Sequence, residues 1–140
     1  MAAQLNVVGK QRETINRHDA AAFAAIYAPD AVVRDPQYPE PLRGTAAVER
    51  DIADFFAAFP DLDASVERPI VDGTTYAFEV TMHATHSGPL RGAEGEIPAT
   101  NKVVELRIGV FAKLDEQGRI REERRYYDLA SLLGQLGVMQ

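Results

Sequence analysis

The amino-acid sequence predicts an α+β domain in which helices pack on a mixed, mostly antiparallel sheet. Over the first sixty residues apolar side chains recur at spacings of three and four, the period of one helix face; from Leu62 onward the period falls to two, that of a strand buried on one side. Turn signals at Asp72-Gly73, Gly88 to Gly95 and Asp115 to Gly118 then cut this second part into consecutive strands that return on one another. A chain of 140 residues with 46% hydrophobic and 26% charged side chains suits a single domain over residues 1–140, with an apolar core of its own.

Leu5, Val8 and Ile15 share the face of a first helix, and Phe23, Ile26 and Tyr27 share that of a second. Asn16-Arg17-His18-Asp19 supplies the turn between them, with Asp19 as N-cap. Pro29-Asp30 ends the second helix, Ala31 to Asp35 reads as a short strand, and Pro36, Pro39 and Pro41 make the following segment a loop because proline cannot donate to a ladder. Beyond Gly44, Thr45 is placed to cap a third helix whose Val48, Ile52, Phe55, Phe56 and Phe59 form an apolar face, and Pro60 stops it. Strands are expected at 62–71, 75–87, 100–114 and 119–128, followed by a short helix near 129–136. Glycines 88, 92, 95 and 109 suit a strongly bent sheet, and a bent sheet can line a pocket.

Several function classes are disfavoured at once. Lysine and arginine number 15 against 21 acidic residues, a net charge of −6, so a phosphate backbone is repelled and nucleic acid is not an expected partner. The absence of cysteine removes disulfides, thiolate metal sites and thiol nucleophiles. The longest apolar stretch, Ala20 to Ala28, is far short of the roughly 18 residues a membrane helix needs, and Met1-Ala2-Ala3-Gln4 does not open like a signal peptide; a cytoplasmic protein without a membrane partner is expected. His18 belongs to a cap turn and His83 is out of phase with His86, so no metal centre is expected. Gly88, Gly92 and Gly95 precede no helix, and Ser65, Ser87 and Ser131 have no elbow context, so neither a nucleotide cofactor nor serine hydrolysis is expected.

Asp35-Pro36, Arg43-Gly44, Ala58-Phe59-Pro60-Asp61-Leu62, Ala84-Thr85-His86-Ser87-Gly88-Pro89, Gly118-Arg119-Ile120, and Tyr127-Asp128 ahead of Leu132-Leu133-Gly134-Gln135-Leu136-Gly137 occur in that order. Together they resemble the SnoaL-like polyketide cyclases, whose fold is shared with ketosteroid isomerase and scytalone dehydratase. The resemblance implies a cone-shaped α+β barrel: three N-terminal helices on a strongly curved sheet, then a short C-terminal helix. It also implies a cofactor-free enzyme acting by intramolecular aldol cyclisation of an apolar, carbonyl-rich small molecule, and a homodimer joined through the outer sheet face. Two positions depart from the family pattern: Arg34 stands where many members carry histidine, and Arg124 where many carry an aromatic residue. Both bring positive charge near the expected cavity.

Asp128 matches the acid/base aspartate of that family; a carboxylate in an apolar cavity can take a proton from a methylene between carbonyls and return it to an alkoxide. It is equally well placed as N-cap of the last helix. His86 follows the apolar face of Tyr76, Phe78, Val80, Met82 and Ala84, and is either an enolate donor or a bonded core histidine. Strict alternation from Ile120 puts Glu122, Arg124, Tyr126 and Asp128 together, making Tyr126 and Arg124 candidate substrate contacts with Arg34, Asp35 and Phe56. Arg107 joins them if its strand presents that face inward. With Arg107, Arg124, Asp35 and Asp128 all inward, the set resembles the Asp-Arg-Asp arrangement of limonene epoxide hydrolase, and epoxide hydrolysis or ketosteroid-type isomerisation is the alternative reaction. A non-catalytic binding or dimerisation module is the alternative of another class, and the mixed-charge run Arg119 to Arg125 reads most simply as a solvated or subunit-facing strand.

Overall fold

The computed structural model describes residues 2–92 and 95–138. Helix α1 (Ala2–Asn16) buries Gln4, Val7, Val8, Gln11, Thr14 and Ile15, a stripe that leaves Leu5 42% exposed rather than in the core. Asn16 closes the helix onto the sheet: its side chain donates to the Ala64 carbonyl and accepts from the Ala64 N–H. Helix α2 is one short run, Ala20–Ala24, capped as expected by Asp19, whose carboxylate accepts from the Ala22 N–H at 3.0 Å. Strand β1 (Tyr27–Arg34) starts four residues earlier than the prolines suggest, because Pro29 and Asp30 sit exposed in an irregularity of register between Tyr27 and Val32, where no ladder donor is needed.

Strand β2 (Leu42–Arg43) pairs antiparallel with β1, a pairing too short for periodicity to reveal. Helix α3 (Thr45–Ala58) buries Val48, Ile52 and Phe56. Its N-cap is Gly44 at φ 84° and not Thr45; no side chain caps the first turn, and the glycine is there because the chain turns through a left-handed conformation. The expected long strands follow as β3 (Asp63–Asp72), β4 (Thr75–Thr85), β7 (Val103–Leu114) and β8 (Ile120–Tyr126), and α4 (Leu129–Leu136) ends the fold. Between β4 and β7 lies a small hairpin, β5 (Leu90–Gly92) with β6 (Gly95–Ile97); Ala93 and Glu94 at its turn are outside the described residues.

The main sheet runs β2-β1-β8-β7-β4-β3, antiparallel throughout except for the parallel pair β1–β8. One face of β4 (Tyr76, Phe78, Val80, Met82, Ala84) and one face of β7 (Val104, Leu106, Ile108, Val110, Ala112) are buried side by side, and with Ile15, Phe23 and Ile52 from the helices and Phe59 just after α3 they form the core. This is the ketosteroid isomerase-like α+β fold, with the helices across the concave side of a mixed sheet. Among the described residues no helix is long and apolar enough to cross a membrane.

Strand β8 decides what enters the concave side. Leu114 pairs with Ile120 but Lys113 pairs with Glu122, so a bulge sits after Ile120 and the alternation slips by one. Arg121 and Glu122 are both exposed in succession, and the inward residues beyond the bulge are Glu123, Arg125 and Tyr127.

Candidate active site

The concave face and helices α1 and α3 enclose a narrow hollow, about 680 Å³ when its open mouth is counted. Its walls are apolar: Ile15, Phe23, Ile52 and Phe55 from the helices face Val66, Phe78, Val80, Met82, Leu106, Ile108 and Val110 from the sheet. At one side a polar cluster breaks this surface. Arg125, 11% exposed, donates through Nη1 to Asp35 at 3.1 Å and to Asp51 at 2.8 Å, and through Nε to Glu123 at 2.8 Å. The carboxyl side chains of Asp35, Asp51 and Glu123 are 7%, 9% and 1% exposed.

Each partner comes from a different element. Asp35 follows β1, where the Gln37 N–H and the Tyr127 hydroxyl also donate to it, at 2.9 and 2.5 Å. Asp51 lies on α3 one turn after Ala47, next to Ile52, and accepts from the Tyr38 hydroxyl at 2.7 Å. Glu123 is held beneath the arginine by the Tyr27 hydroxyl, 2.8 Å from both carboxylate oxygens, and by Gln11 Nε2 at 3.0 Å. Gln11 also donates to the Tyr27 oxygen at 3.2 Å, so one side chain of α1 ties the platform together.

Electrostatics fixes the protonation of several of these groups. Burial works against the charge on Arg125, but Glu123, Asp51 and Asp35 outweigh it and the guanidinium is held charged. Burial, then the adjoining carboxyl, pushes the phenols of Tyr127 (beside Asp35), Tyr38 (beside Asp51) and Tyr27 (beside Glu123) well above the ordinary tyrosine range, so all three remain hydrogen-bond donors. Three carboxyls thus share one guanidinium at the edge of an apolar space, where charge interactions are stronger than in water. Arg125 Nη2 is buried with no hydrogen-bond partner among the described residues, a donor left over in a network that otherwise satisfies itself.

The structure gathers these groups differently from a strict alternation. Asp35 lies in the cluster. Asp128 does not line the hollow: it is exposed at the N-terminus of α4, where its carboxylate accepts from the Ser131 N–H at 2.9 Å. Tyr126 and Arg124 point to the outer face, Tyr126 being 56% exposed with its ring edge-on to Phe111, and Arg124 5.7 Å over the same ring. The bulge after Ile120 is the reason, since one extra residue turns every following side chain to the opposite face. Arg107 is exposed on the outer face of β7, 3.6 Å from Glu105, because the apolar alternate residues of that strand take the core side. Arg34, after the inward Val33, is also exposed; it shares an outer hollow with Arg124 and Lys113. Phe56 stacks on His18 at 4.7 Å and leaves the cavity wall to Phe55, one residue along the helix.

His86 is fully buried but away from the hollow. Its Nδ1 accepts from the Thr100 N–H at 3.2 Å and meets the Thr100 hydroxyl at 2.9 Å, its ring packs 5.4 Å from Phe59, and burial pulls its pKa below the usual histidine range. Asp51, Glu123, Arg125, Tyr127, Tyr27, Tyr38 and Gln11 are the site residues that sequence reasoning missed. For Asp51 the signal was present, because it stands three residues after Val48 and four before Phe55 on the apolar face of α3. For Glu123, Arg125 and Tyr127 it was hidden by the bulge.

A family model, SnoaL-like polyketide cyclase, matches residues 6–136, nearly the whole chain. The chain belongs to the SnoaL-like polyketide cyclase family. A steroid Delta-isomerase of Nocardioides simplex is 32% identical over 89 residues, 60% of this chain and 69% of that protein. Among solved structures, AclR of Streptomyces galilaeus superposes with TM-score 0.83 at 21% identity, over 100% of this chain and 99% of AclR. IdmH of Streptomyces antibioticus superposes with TM-score 0.74 at 26% identity, over 95% of this chain and 97% of IdmH. In this member of the family the polar group set into the apolar hollow is a pair of aspartates bridged by an arginine. Such a pair can take a proton from one atom of a bound molecule and deliver one to another.

Proposed function

We propose that this SnoaL-like protein is an acid/base enzyme that opens the oxygen ring of an apolar epoxide, with water or a hydroxyl of the same molecule as nucleophile. The observation that carries the reading is Arg125 Nη1 bonded at once to Asp35 and Asp51 at the edge of an apolar hollow. As the nucleophile's oxygen attacks a ring carbon, one carboxylate takes its proton, the carbon–oxygen bond breaks, and the other carboxyl, entering protonated, gives its proton to the departing oxygen. Asp35, accepting from three donors, suits the accepting role, and Asp51 then donates. Glu123 and Tyr27 hold Arg125 in register from below. The apolar walls hold the carbon skeleton and exclude bulk water.

A second reading, proton abstraction next to a carbonyl with an enolate intermediate, is favoured by the family match and by the steroid Delta-isomerase relative. It uses the same carboxyls. The two separate on substrate: purified protein is incubated with terpenoid-sized neutral epoxides, scored for diols or cyclic ethers, and with a Δ5-3-ketosteroid, scored for the conjugated enone. Asp35→Asn and Asp51→Asn should each lower the epoxide rate by roughly 10²–10⁴-fold while the protein stays folded. Turnover that survives both substitutions, or is seen with the ketosteroid alone, overturns epoxide opening.

A further inference from the structure

Asp51 is a partition between two spaces. On one side it lines the apolar hollow; on the other it lines a separate outer hollow of about 390 Å³ counting its mouth, with Tyr38, Ala47, Arg50, Asp54 and Arg91. Its two oxygens are divided between them: Oδ2 accepts from Arg125, which belongs to the inner hollow, and Oδ1 accepts from the Tyr38 hydroxyl, which belongs to the outer one.

The acid/base reading, on which this inference rests, leaves the pair inverted after each turnover. The carboxylate that accepted a proton is neutral, and the carboxyl that donated one is charged. The pair must reset before the next cycle. Arg125 lies between them, and a guanidinium held this firmly in its charged form does not pass a proton on. Reset through the inner hollow must wait until product has left and water has entered a space with apolar walls.

We propose that the outer hollow is a back door through which Asp51 recovers its proton from solvent, with Tyr38 as the relay. A solvent or buffer acid gives a proton to Tyr38 Oη as Oη passes its own to Asp51 Oδ1; the acid becomes its conjugate base, Asp51 becomes neutral, Tyr38 is unchanged, and Asp35 gives up the proton it took to water that enters the inner hollow as product leaves. The high pKa of Tyr38 suits a concerted hand-over, since the phenolate never has to form. Arg50, Arg91 and Asp54 face Asp51 from the outer side, and Asp35 and Arg125 from the inner side.

The test separates the first turnover from those that follow. Ala47→Phe, with the smaller Ala47→Leu as a second filling variant, closes the outer hollow without touching a polar group, and Tyr38→Phe removes the relay while leaving the hollow open. Rapid-quench kinetics use a neutral epoxide that wild-type protein turns over, with melting curves to confirm folding. Expected for the filled variants is a first turnover at the wild-type rate, then a steady state at least about tenfold slower. Imidazole or formate at constant pH should restore Tyr38→Phe but not the filled variants. Steady-state rates within about twofold of wild type, or a first turnover slowed as much as later ones, overturn the back door. Absence of wild-type turnover on every epoxide instead overturns the parent reading, and the back door with it.

Discussion

Replacement of Arg125 by methionine tests whether the cluster is a single electrostatic unit. The side chain is 11% exposed and ties together Asp35 at 3.1 Å, Asp51 at 2.8 Å and Glu123 at 2.8 Å. Methionine fills much of the same volume but leaves three buried carboxyls without a counter-charge. Removing one partner of a buried ion pair costs about 3–5 kcal/mol, whereas an exposed pair is worth less than about 1 kcal/mol. At roughly 2–5 °C per kcal/mol for a chain of this size, Arg125→Met should lower Tm by roughly 10–20 °C. Arg124→Met is the matched control: the neighbouring arginine is exposed and lies over Phe111, so its loss should stay within about 1 kcal/mol. The assay is thermal and urea unfolding of both variants beside wild type. Adding Asp35→Asn, Asp51→Asn and Glu123→Gln to Arg125→Met should recover much of the loss, because the repulsion is then gone. Equal small effects of the two arginine substitutions would refute the reasoning.

Asp128→Ala should cost about 1 kcal/mol, the ordinary value of an N-cap, and leave turnover intact; a large kinetic defect with normal stability would contradict the placement of Asp128 outside the hollow. Burial lowers the His86 pKa, so below about 6.5 the unfolded chain takes up a proton that the folded chain resists. Stability should therefore decline as pH falls from about 7 to 5.5, and less so in His86→Asn, as read from urea midpoints; the same slope in both proteins would remove His86 as the cause. Gly88→Ala would place a Cβ 2.0 Å from the Ala57 carbonyl oxygen, where backbone of α3 must move, so a loss of more than about 2 kcal/mol in chemical denaturation is expected. Gly9→Ala, with open space at the same distance, should be neutral or slightly stabilising.

The order of elements and the identity of the core are both legible in the amino-acid chain. The period change at Leu62 and the turn dipeptides placed β3, β4, β7, β8 and α4 within a few residues of where they lie, because helix and strand periods are local and a one-sided core stamps them on the chain. The family was legible for the same reason, in motifs at the ends of elements. The site was not. Asp35 could be picked out, but nothing in the sequence reading singled out Asp51, and Glu123 and Arg125 belong to the mixed-charge run Arg119 to Arg125 that reads as a solvated or subunit-facing strand. Which face of β8 turns inward is set in the folded sheet, by a bulge whose position depends on how Leu114 and Lys113 pair across to Ile120 and Glu122. A strand of alternating charge carries no apolar face to fix its phase, so pairing with its neighbours sets it, and that pairing is a property of the folded sheet.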